Sequence, residues 1–171
     1  MRLILVLGLA ISLSYKFAAA SEHGGDATKF TPNASEVLSV TVVLTPSDVR
    51  RRAPLREEDL LAMGCNFSEN TKKIASLTNI LRDHILRDDG QAQSFYLQNA
   101  VYLRLRNGSV TRFTFGGEGE RNKQINGAVD DSSSGNSAFF SAEYSLLKDL
   151  RKWLADDGVE RKDGKWCTRN R

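Results

Sequence analysis

The stretch NAVYLRLRNGSVTRFTF, Asn99 to Phe115, decides the fold class. Val101, Leu103 and Leu105 alternate with Tyr102, Arg104 and Arg106 before Asn107-Gly108, and Phe113 and Phe115 resume the alternation beyond it. A period of two around an Asn-Gly turn signal reads as a β-hairpin. Register follows from the need to keep one face apolar. A two-residue turn sets Leu103 opposite Arg112 and puts the two apolar faces on opposite sides of the sheet. A three-residue loop, Asn107-Gly108-Ser109, pairs Leu105 with Thr111, Leu103 with Phe113 and Val101 with Phe115. A one-residue slip would move a whole face from core to solvent, so the three-residue loop with a glycine bulge is favoured.

Upstream, Leu38, Val40, Val42 and Leu44 alternate with Ser39, Thr41, Val43 and Thr45, a strand pattern that Pro46 ends. Arg50-Arg51-Arg52 and Pro54 form a turn-like connection. Glu57-Glu58-Asp59 suit the first turn of a helix, where negative charge opposes the positive end of the helix dipole. Leu60, Leu61 and Met63 give that helix its apolar side, and Gly64 suits its stop. A longer helix starts at Asn70 or Thr71. Its stripe is Ile74, Leu77, Leu81 and Ile85, joined by Ile80, and Asp88-Asp89-Gly90 closes it.

Downstream, Gly116 to Lys123 is a polar, glycine-rich loop, and Ile125 to Val129 is a short further strand. A helix is expected from Phe139 or Phe140 to Leu154, with Phe140, Tyr144, Leu147, Leu150 and Leu154 facing inward. The expected class is therefore α+β: a small antiparallel sheet packed by two or three helices. That sheet would hold one N-terminal strand, the central hairpin and the short further strand.

The beginning of the chain sets its expected address. Arg2, the apolar run Leu3 to Leu13 and Ala18-Ala19-Ala20 have the plan of a cleavable export signal over residues 1–20. The run is shorter than the roughly 20 apolar residues a bilayer span needs, so no stable membrane insertion is expected after cleavage. Residues 21–36 read as a flexible lead, and 37–171 as one α+β domain. The expected location is the periplasm or the extracellular space. Arg2 and Lys16 would leave with the signal, taking the formal charge from +3 to +1. That balance lacks the basic excess of a nucleic-acid binder.

An exported chain with two cysteines reads as carrying one disulfide, Cys65–Cys167. It would clamp the tail onto the domain.

Candidate chemistry is sparse. No zinc-protease, nucleophile-elbow or phosphate-loop pattern occurs, and no catalytic residue, metal or cofactor is expected. The acidic pairs Asp88-Asp89, Asp130-Asp131 and Asp156-Asp157 lack the spacing of a calcium loop and read as turns. His84 reads as packing at the edge of its helix. Asn33, Asn66 and Asn107 begin sequons. The basic run Arg50-Arg51-Arg52 with Arg56 reads as a solvated connection, and the favoured binding patch is the outer hairpin face, Tyr102, Arg104, Arg106 and Arg112, with Arg104 expected directly opposite Arg112. Like charges opposed across a sheet are costly unless something anionic meets them. The expected function is a small exported binding protein, an inhibitor or immunity-type protein, that meets an acidic protein surface. The alternatives are a carboxylate-based hydrolase of cell-wall or extracellular polymer, and a secreted host-directed effector.

Overall fold

The computed structural model describes residues 26–46, 55–86, 94–117 and 124–170. The proposed signal, Arg50-Arg51-Arg52 and Asp88-Asp89 lie outside them. Eight strands form one antiparallel sheet: β1 (Val37–Leu44), β2 (Cys65–Ser68), β3 (Ile85–Leu86), β4 (Asn99–Leu105), β5 (Val110–Phe115), β6 (Gln124–Asp131), β7 (Ser137–Glu143) and β8 (Glu160–Lys162). Among the described residues four α-helices accompany it: α1 (Glu57–Ala62), α2 (Thr71–His84), α3 (Ser145–Ala155) and α4 (Gly164–Arg169). The spatial order is β3-β7-β6-β5-β4-β1-β2-β8. The expected small sheet of four strands with two or three helices is thus corrected, among the described residues, to eight strands and four helices. The α+β mixture itself stands.

Topology explains how one face of so wide a sheet is covered. The chain leaves β2 near one edge, crosses in α2 and reaches β3 at the other edge. It leaves β7 beside that edge and returns in α3 to β8. The two helices therefore pack antiparallel over one face. Ile74, Leu77 and Leu81 of α2 and Leu146, Leu147, Leu150 and Trp153 of α3 bury against Val40, Val42, Val101, Leu103, Phe113, Phe115 and Phe140. Each such side chain contributes about 1.5–3 kcal/mol by leaving water. At one end of the pair Lys73 Nζ donates to Asp156 Oδ2 at 2.7 Å, and Trp153 Nε1 donates to the Lys73 carbonyl at 2.9 Å. Asn70 caps α2 by accepting from the N–H groups of Lys72 and Lys73.

On the opposite face, α1 and α4 cover only part of the sheet. A smaller core of Val43, Leu60, Leu61, Cys65, Ala100, Tyr102 and Cys167 lies beneath them. The Cys65–Cys167 disulfide forms, with Cα atoms 5.9 Å apart, and ties α4 to β2. Trp166 packs edge-on to Phe67 at 4.7 Å, and Lys162 lies over both rings.

Four local corrections have physical causes. Phe139 and Phe140 belong to β7, because Ala138, Phe140 and Ala142 alternate into the core; α3 begins only at Ser145. Ile85 leaves the α2 stripe to pair with Ala142 as part of β3. Leu38 is 45% exposed, because the register of β1 against β4 shifts between Val37 and Ser39. That bulge makes Leu38 the extra residue and lets Val37 share the core face with Val40. The hairpin pairs Leu103 with Thr111, Val101 with Phe113, and Arg104 with Val110, two steps from the expected register. The loop is Arg106-Asn107-Gly108: Gly108 N–H donates to the Leu105 carbonyl, Leu105 N–H donates to the Ser109 carbonyl, and Gly108 takes φ +88°. It is a three-residue loop with a glycine bulge, placed one residue earlier.

Within the segment expected to be a flexible lead, Ala27–Phe30 and Ala34–Glu36 form 3-10 turns, and Ala27 is buried. Among the described residues, no helix is long and apolar enough to cross a membrane.

Candidate functional site on the outer hairpin face

Alternation directs Val101, Leu103, Phe113 and Phe115 into the main core and leaves Tyr102, Arg104 and Arg112 on the other face. Arg104 does not oppose Arg112: Tyr102 does, and Arg104 faces Val110. The like-charge clash expected from the sequence is therefore not present, and no anionic partner is needed to relieve it.

Arg112 is instead matched by acids from two elements. Its partner in the β5–β6 register is Asp130, whose Oδ2 accepts from Arg112 Nε at 2.9 Å. An opposite-charge pair directly across strands is favourable. Glu57, in the first turn of α1, pairs with Arg112 Nη1 through Oε2 and accepts from the Tyr102 hydroxyl through Oε1 at 2.8 Å. Burial alone would weaken the positive charge of Arg112. The hydrogen bond and charge of Asp130, helped by the charge of Glu57, outweigh it and hold the guanidinium above its ordinary pKa. This network pins the start of α1 to the sheet. It borders an open hollow of about 460 Å³ lined by Glu57, Glu58, Tyr102, Arg112, Asp130 and Ser132. Three carboxylates against one guanidinium make that hollow acidic. Tyr102 is buried within it, only 3% exposed.

Arg104 lies near the end of β4, and Arg106 opens the hairpin loop that follows it. Arg104 Nη2 donates to the Asn170 carbonyl at 3.0 Å, beyond the end of α4. Arg106 is exposed; its Nε donates to the Ser35 carbonyl at 2.9 Å and its backbone N–H to the Glu36 carbonyl at 2.8 Å. The four predicted residues therefore divide into two groups: Tyr102 with Arg112, and Arg104 with Arg106.

Sequence reasoning missed Glu57 and Asp130 as members of the network. Both had sufficient local explanations, a helix dipole and a turn. In the Asp130-Asp131 pair only Asp131 serves the turn. It accepts from Ser133 N–H at 3.0 Å, Ser133 Oγ at 2.7 Å and Ser134 Oγ at 3.1 Å. Burial pushes its pKa up, but these bonds dominate and hold the carboxyl below the usual range. Among the described residues, no three His, Cys, Asp or Glu side chains are grouped to hold a metal ion.

No family model matches the chain, and neither the curated proteins nor the solved structures give a match.

Proposed function

We propose that the chain is an exported binding protein of the inhibitor or immunity kind, and that Arg104 and Arg106 meet an acidic surface on a partner protein. The observation that carries this is Arg106: exposed, yet anchored through Nε to a main-chain carbonyl. A neutral carbonyl fixes the planar guanidinium while leaving its net charge and other N–H donors for a carboxylate. Lys165 and Arg169 are exposed on α4, next to the Asn170 carbonyl that Arg104 binds. They extend the basic character of this end. Arg112 has a different part in the proposal: it holds α1 in place through Glu57 and Asp130.

The test is affinity capture from the native compartment with the wild-type chain and the Arg104→Ala/Arg106→Ala variant as parallel baits. Arginine anchors at protein interfaces are commonly worth about 2 kcal/mol each. Their joint removal should weaken the captured partner's affinity by roughly a hundredfold or more. Thermal melting of the variant, close to wild type, shows that the fold is kept. Undiminished capture by a folded double variant would remove the patch, and no specific capture by the wild type would remove the function.

A further inference from the structure

The same topology that covers the sheet brings the last residue of α2 against the first turn of α3. α2 ends at His84, β3 pairs with β7, and the chain passes from Glu143 of β7 into α3 at Ser145. Ser145 and Asp149 are four residues apart on α3 and so share one helix face. The His84 imidazole, 13% exposed, lies between them. Its Nε2 is 2.8 Å from Asp149 Oδ2, and its Nδ1 is 3.2 Å from Ser145 Oγ. With Nε2–H donated to Asp149, the Nδ1 lone pair faces the serine hydroxyl, the tautomer a general base requires.

We infer that Ser145, His84 and Asp149 form a nucleophilic centre able to cleave uncharged or cationic carboxylic esters. It is the logic of a serine–histidine–aspartate triad with the two ring nitrogens exchanged. The Ser145 hydroxyl donates to Glu143 Oε2 at 3.2 Å, an oxygen 3.6 Å from Nδ1, and must turn that proton to Nδ1, 3.2 Å away, to be activated. Glu143 therefore places a second carboxylate beside the imidazolium formed when Nδ1 takes the proton. The Lys73–Asp156 fastening at the other end of the same helix pair needs only one cation and one carboxylate. Here a serine hydroxyl is added, on a half-buried residue.

The reaction balances with water as the only co-reactant. Ser145 Oγ adds to the ester carbonyl carbon as its proton passes to His84 Nδ1. The carbon–oxygen bond to the alcohol breaks, the alcohol leaves with that proton, and the acyl group stays on Oγ. Water then adds to the acyl carbon and gives a proton to Nδ1. The Oγ–acyl bond breaks, Ser145 recovers the proton, and the carboxylic acid departs. The leading N–H groups of α3 have no carbonyl partner within the helix and lie in the same first turn as Ser145, where negative charge develops. Glu143 and Asp149 disfavour anionic substrates.

The test is labelling of the full chain with a fluorophosphonate, read by peptide mass spectrometry, beside hydrolysis of p-nitrophenyl butyrate. Ser145 should be labelled in the wild type and nothing in Ser145→Ala. His84→Gln and Asp149→Asn should label roughly a hundredfold more slowly. If His84→Gln fails to fold, Asp149→Asn, which keeps the shape of the side chain, decides alone. An unlabelled Ser145 in the folded wild type, or an unchanged rate in the decisive variant, overturns the assignment. The Arg104→Ala/Arg106→Ala variant should label at the wild-type rate, so this centre and the binding surface can fail separately.

Discussion

Removing the disulfide should uncouple the tail from the domain, and the cost follows from its place in the chain. Cys65 and Cys167 are 102 residues apart and both fully buried. Loop closure of about 100 residues is worth roughly 4.7 kcal/mol in the chain-entropy model, and measured values often fall below that. At about 2–4 °C per kcal/mol for a chain of this size, Cys65→Ala/Cys167→Ala should melt roughly 10–15 °C lower. Alanine avoids burying a hydroxyl without a partner. Two tryptophans separate the global and local parts of the loss. Trp153 is sealed between α3 and the sheet, whereas Trp166 sits on α4 beside Phe67. α4 is six residues long, and its N-cap bond is Trp166 N–H to Asp163 Oδ1 at 2.9 Å. In urea, the Trp166 signal should therefore move before the Trp153 signal in the double variant, and together with it in the wild type. A variant within about 1 kcal/mol of the wild type, with coincident transitions, would refute the view that the bond holds this layer on.

Gly127→Ala should be among the most damaging single-methyl changes. A Cβ there would stand 2.4 Å from Phe140 Cζ and 2.6 Å from the Thr114 carbonyl, and overpacking of this kind costs about 1–3 kcal/mol or more in urea melts. Leu38→Lys should change stability by less than about 0.5 kcal/mol because the bulge turns Leu38 outward, whereas Leu103→Ala should cost about 2–5 kcal/mol. Asp131 has a lowered pKa, so its stabilisation is present above the ordinary carboxylate range and is lost as pH falls through the lowered value. Melting curves of wild type and Asp131→Asn should differ at neutral pH and converge in acid; divergence on acidification would reverse the sign.

The hairpin shows how far a sequence can be read. Its faces were legible because Val101, Leu103, Phe113 and Phe115 enforce a period of two. Its register was not, because a shift of two residues keeps every face and is set only by which residues make the turn. Phe140 fitted both a strand ending at Glu143 and a helix running to Leu154, and pairing with Gly127 across β6 and β7 resolved the conflict toward strand. β8 and α4 are too short and polar to carry a periodic signal; what holds them is β2 and a sulfur bridge. The Arg112 network joins residues 55 positions apart, and the His84 cluster joins residues more than 60 apart. No local spacing encodes either.

The most direct test of the binding account is the association rate with the captured partner, measured against ionic strength for wild type and Arg104→Ala/Arg106→Ala. Screening shortens from roughly 10 Å at 0.1 M salt to about 3 Å at 1 M, so steering by these arginines should fade over that range. The account predicts a steep fall for the wild type and a slower, flatter rate for the variant. Equal rates with equal salt dependence would contradict it.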